Sequence, residues 1–243
     1  MPADAHPGRV RLAELVAALS LGIDLGFGQP MEHVLRQCLI ALRLAERVGL
    51  DEESRAAVYC AALLINVGCH SDAHEQAKWF GDDIAMKSHK YDPQAQMGTL
   101  RGAVTGLRSL GAGQPPLHRF RLGLEFVISG RRQVDGMIAS HSRLARTLAE
   151  QLGLSTEVAE AVGAAYEAWD GRGWPGALAG AEIPIAARIA SLAEYAEVAH
   201  RVDGLDGVVA LCARVRGRGL RTAPARGDGP RLGAAGALED VHQ

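Results

Sequence analysis

Apolar residues recur at steps of three and four along most of this chain, and the stripes they form stop at glycines and prolines. Leu12 to Leu19 predicts a short amphipathic helix ending near Gly22, followed by a glycine-rich loop, Gly26-Phe27-Gly28-Gln29-Pro30. Pro30 suits a helix start and Glu32 a first turn, so the next helix is expected from there. Its stripe runs through Met31, Val34, Leu35, Cys38, Leu42 and Ala45 to a stop at Gly49. Asp51 is placed to cap a further helix through Arg55 to Ile65. Between His70 and Gly130 short helical pieces mix with polar residues, and Gly111-Ala-Gly-Gln-Pro-Pro116 is a clear break. A long helix is predicted over Val134 to Leu152, ended by Gly153, and Ser155 caps another with Val158, Ala161, Val162 and Ala165 inward. Trp169 to Pro184 is too punctuated for a regular element, and a last helix is expected from Ile185 to about His200.

These stripes predict an all-α fold. Composition agrees: the 243 residues are 48% apolar and only 5% aromatic, so an aliphatic core on helices is expected and global disorder is not. From Arg216 the pattern dissolves into Arg, Gly, Ala and Pro, which reads as a flexible tail. Three segments result: an N-terminal helix and loop over 1–29, a helical domain over 30–215 and the tail over 216–243. Leu44 to Leu50 and Leu148 to Leu154 echo one another, each ending in Gly-Leu, a weak sign of duplication.

Net charge is −2, which offers nucleic acid no basic surface. The cysteines, Cys38, Cys60, Cys69 and Cys212, form no CxxC pair and read as free thiols in a reducing compartment. Glu14 and Asp24 interrupt the first apolar segment, which excludes a secretory leader there. Val58 to Ile65 falls far short of the roughly 20 residues that span a bilayer. A cytoplasmic protein without membrane partners is therefore expected.

The most specific segment is Trp169-Asp170-Gly171-Arg172-Gly173-Trp174-Pro175, followed by Gly176, Leu178, Gly180, Glu182, Ile183 and Pro184. It resembles the hallmark loop of the HD-GYP family of cyclic-di-GMP phosphodiesterases, H-H-E-x-W-D-G-x-G-Y-P, with Trp174 in the place of the tyrosine. The resemblance runs from about Pro30 to Arg214 and implies an HD-type helical bundle. It also implies a cluster of two or three metals, iron or manganese, that activates a water against a phosphodiester.

Carried over one by one, the implied ligands fall on residues of mixed competence. His33 matches an early family histidine, His141 the histidine of the central helix, and Glu194 the last carboxylate. The namesake His-Asp pair falls on Ile65 and Asn66, and the paired histidines before the loop fall on Ala165 and Tyr166. A side chain suited to a metal remains at His33, His141 and Glu194, while the bridging aspartate is gone. Tyr166 offers a phenol that some iron sites use, though a packed tyrosine is the simpler reading. His70, Asp72 and His74 form a separate cluster, with the two histidines at a helical i, i+4 spacing suited to zinc.

Two functions compete on these grounds. In the first the chain is a signalling or interaction module that has lost phosphodiesterase chemistry, with a signalling protein or a cyclic dinucleotide as partner. In the second it is an active metal-dependent phosphohydrolase with an altered ligand set. The Arg/Gly-rich tail is also expected to mark truncation or a shifted frame. Its lack of an apolar face generates a separate prediction: deleting Thr222 to Gln243 should move the thermal midpoint by less than about 5 °C in a melt.

Overall fold

The computed structural model describes residues 11–27, 29–70, 114–126, 128 and 131–215. Seven α-helices lie among them: α1 (Leu12–Phe27), α2 (His33–Arg47), α3 (Glu52–Leu64), α4 (Pro116–Glu125), α5 (Arg131–Gln151), α6 (Thr156–Gly163) and α7 (Ile185–Val215). Short 3-10 turns cover Val67–His70 and Gly180–Glu182, and no strand occurs among the described residues. The all-α expectation holds.

Several boundaries follow the capping chemistry in the sequence. Asp51 accepts from the Ser54 amide at 2.8 Å to start α3, and Ser155 accepts from Val158 to start α6. Gly49 and Gly153 take positive φ, 75° and 68°, directly after α2 and α5. In each case the glycine N–H and the following leucine N–H return to carbonyls of the last turn. The echo between the two segments is thus a shared helix stop.

Other boundaries depart from expectation. Helix α1 does not end near Gly22 but continues to Phe27, because Val16, Ser20, Ile23 and Asp24 all face the interior. Helix α2 begins at His33, three residues after Pro30, with Glu32 in a left-handed conformation that makes no side-chain cap. The cap comes from another helix. Asp24 Oδ1, on α1, accepts from the Val34 amide at 3.0 Å. Helix α7 runs well past His200, breaks at Gly204 (φ 62°), and continues because Val208 and Leu211 rejoin the core. Of the middle region, 71–113 lies outside the described residues, as does the tail over 216–243.

Packing centres on α2, α3 and α7, which contact one another closely; α1 lies on α2 and α3, and α5 pairs with α6. The core is aliphatic and rich in alanine: Ala41, Ala45, Ala61, Ala62, Ala190 and Ala193 let backbones approach, while Leu63, Leu64 and Ile189 fill the gaps. No helix among the described residues is long and apolar enough to cross a membrane.

The segment between α6 and α7 is irregular but tied down. The Glu167 carboxylate accepts from the backbone amides of Gly176, Ala177 and Leu178 at 3.1, 2.9 and 3.3 Å. Trp174 N–H donates to the Tyr166 carbonyl and Gly180 N–H to that of Trp169, both at 2.9 Å. The Arg188 guanidinium stacks on the Trp169 ring, 5.6 Å from its centroid. Gly173 has no room for a side chain, since a Cβ there would lie 2.2 Å from the Ala168 nitrogen and 2.5 Å from Glu167 Cα. Loop and helix end are one packed unit.

Two outcomes follow from this packing. Gly173→Ala should destabilise the protein by about 1–3 kcal/mol in a denaturant titration, because only backbone stands in the way of the new methyl. Burial raises the Asp24 pKa above its ordinary value, so its ionised form costs stability at neutral pH. Asp24→Asn keeps an oxygen for the Val34 amide and should raise the midpoint at pH 7 by about 2–4 °C, the response to roughly 1 kcal/mol. A raised folded pKa adds stability only at low pH, so the advantage should vanish below the ordinary carboxyl range, where Asp24 is protonated folded or unfolded.

Candidate functional site

Where α2, α3, α5 and α7 converge, the aliphatic core gives way to buried polar side chains: His33, Gln37, Asn66, His141, Glu194 and Glu197. The helices fix each one. His33 is the first residue of α2, Asn66 follows the C-cap of α3, His141 lies within α5, and the two glutamates stand one turn apart on α7. The Val67–His70 turn holds Asn66 in place by pressing Gly68 against α5. A Cβ on Gly68 would lie 2.4 Å from the His141 carbonyl oxygen and 2.7 Å from its Cα.

Two carboxylates organise the cluster. Glu197 Oε2 accepts from His33 Nδ1 at 2.5 Å, and its Oε1 accepts from Arg36 Nε at 2.9 Å. Arg201 Nε approaches the same oxygen at 3.6 Å. Burial pushes the Glu197 pKa up, but the hydrogen bonds from His33 and Arg36 and the Arg201 charge outweigh it, leaving the carboxyl below its ordinary range. It is a buried anion satisfied from two helices. Glu194 Oε1 accepts from Asn66 Nδ2 at 2.5 Å, with Asn66 2% and Glu194 3% exposed. Beside this pair, Gln37 Nε2 donates to the Ala62 carbonyl at 2.9 Å and ties α2 to the last turn of α3.

The residues singled out from the sequence are thus partly brought together. Asn66 and Glu194 meet directly. His33 joins the cluster, with Glu197 on its Nδ1. His141 is buried on α5, its ring 6.1 Å between centroids from that of Tyr166. Ile65 is buried hydrocarbon, and Ala165 packs at the edge of the core. Trp169, Asp170, Gly171, Gly173, Trp174 and Pro175 form the loop beyond, with Asp170 accepting from the Arg172 amide. Asp72 and His74 lie outside the described residues, and His70 closes the 3-10 turn.

Sequence reasoning missed Glu197, Arg36 and Glu167. The available signal was the Glu194-x-x-Glu197 spacing, which puts two carboxylates on neighbouring turns of an otherwise apolar, alanine-rich helix. Glu167 was legible as the acidic residue of the hallmark loop, and its partners are backbone amides that no sequence displays.

These residues do not fit the metal cluster that the resemblance implies. Ile65 and Ala165 carry no donor atom, and the Asn66 amide presents N–H, not a lone pair, to Glu194. Among the described residues no three His, Cys, Asp or Glu side chains group closely enough to hold a metal ion.

Comparison with known proteins agrees with the architecture. The HD domain family model matches residues 134–202, from α5 through the loop into α7. The 3'3'-cGAMP-specific phosphodiesterase 3 of Vibrio cholerae is 26% identical over 189 residues, 77% of this chain and 40% of that protein. A solved structure of a cyclic GMP-AMP-specific phosphodiesterase from V. cholerae superposes with a TM-score of 0.62 at 21% identity, over 95% of this chain and 48% of that one. The chain therefore spans less than half the length of either relative. Residues 134–202 thus match an HD domain, and the helical bundle around them is similar in fold to that of a cyclic GMP-AMP phosphodiesterase.

Proposed function

We propose that the chain is a non-hydrolytic member of this phosphodiesterase family, an interaction module of cyclic-dinucleotide signalling that keeps the shell of the enzyme without its metal chemistry. The observation that carries the reading is the Asn66 amide donating to Glu194. Where the family's chemistry needs an anionic bridge between cations, this chain has a neutral donor already engaged with the remaining carboxylate. Two adjacent divalent ions repel, and the bridging charge that offsets the repulsion is missing. The relatives' names carry a cyclic GMP-AMP dinucleotide, and a cyclic dinucleotide is accordingly the ligand class proposed here.

Purified without chelator, the protein should carry substoichiometric iron and manganese by elemental analysis. It should release no linear product from 3'3'-cGAMP or cyclic-di-GMP above background with either metal added. In a combined variant, Ile65→His, Asn66→Asp, Ala165→His and Tyr166→His, metal content should rise while the parent's stays flat. Metal-dependent turnover by the unmodified protein would overturn the proposal and favour a working hydrolase with an altered ligand set.

A further inference from the structure

We infer that Asn66 is a built-in substitute for a cation: its side-chain amide holds Glu194 across the α3–α7 contact and thereby releases the fold from any metal requirement. The inference rests on the non-hydrolytic reading and extends it from lost chemistry to how the emptied core stays stable.

The argument is one of charge at constant shape. Asparagine and aspartate differ at one terminal position, NH2 against O, and occupy nearly the same volume. With Asn66, the contact to Glu194 is an N–H donor on an acceptor, 2.5 Å long and buried on both sides. With aspartate it becomes two carboxylates face to face, an arrangement that needs a shared proton or an intervening cation.

The surroundings keep the pair from relaxing. Gly68 is seated on the backbone of His141 with no space for a single added carbon, so the segment carrying residue 66 cannot retreat toward α5. Glu194 is fixed within α7, between the buried Ala193 and Ala196. The arginines nearby, Arg36 and Arg201, and the Nδ1 of His33 are committed to Glu197 one turn along. A second carboxyl at position 66 therefore calls for a shared proton or a cation from outside, and the manganese arm of the test tells the two apart.

The test uses the full 243-residue chain and the thermal midpoint, measured in chelator and in about 1 mM manganese chloride, where a bound ion stabilises by mass action. The parent should melt at one temperature in both buffers. Asn66→Asp should melt about 10 °C lower in chelator, as expected when a buried pair is broken in a domain of this size, and manganese should return at least half of that loss. The double variant Asn66→Asp/Glu194→Gln puts the amide on the other partner, and should regain the parent's midpoint in chelator and ignore manganese. If Asn66→Asp fails to fold in chelator, the double variant still decides, because its recovery or failure reads the same pair. Equal melting of Asn66→Asp and parent would overturn the inference, as would a loss that manganese leaves unrepaired or a double variant that stays destabilised. Hydrolysis by the parent bears on the non-hydrolytic reading alone, since it leaves these midpoints where they are.

Discussion

Two carboxylates, Glu194 and Glu197, lie buried one turn apart on α7, and the bundle has to satisfy both without water. An unpartnered buried charge costs about 3–5 kcal/mol, a large share of a domain's stability. The arrangement of helices answers that cost. The start of α2 is set so that His33 and Arg36 reach Glu197, and the end of α3 is set so that Asn66 reaches Glu194. Helix α1 then contributes Asp24 to hold the first turn of α2, whose own cap residue makes no side-chain bond. The aliphatic core supplies most of the burial, while these polar contacts fix which helix ends meet.

What the sequence disclosed and what it concealed divide along this line. Local stops and starts were legible because their chemistry is local: Asp51, Ser155, Gly49 and Gly153 act within a few residues of themselves. The extents of α1 and α7 were not. Gly22 looks like a terminator and the last helix looks finished near His200, but Ile23 on one side and Val208 with Leu211 on the other are buried by partners far along the chain. At Gly22 tertiary burial outweighed the glycine, while at Gly204 the helix kinks and then resumes. The start of α2 was misplaced for the same reason, its cap coming from ten residues upstream.

The candidate site shows the same division. Asn66 and Glu194 were both carried over from the family resemblance, but only the fold shows them touching, 128 residues apart. Glu197 escaped notice because a glutamate on a helix reads as solvent-facing, and its burial depends on His33 and Arg36 from α2.

The loop between α6 and α7, which carries the family likeness, has packing of its own. Its shape depends on Glu167 gathering three backbone amides, on Gly173 lying against the chain at Tyr166 to Ala168, and on Trp169 stacked beneath Arg188. None of these contacts passes through the side chains of Ile65, Asn66 or Ala165, and Tyr166 takes part through its backbone carbonyl. The loop is therefore held by backbone and loop side chains and does not depend on the side chains at 65, 66 and 165. At the ligand positions the requirement is different, since a buried carboxylate has to be balanced by something. An amide meets that requirement at no cost in shape. Under the proposed reading, the loop keeps its motif through these contacts while the Asn66–Glu194 hydrogen bond satisfies the carboxylate in the core.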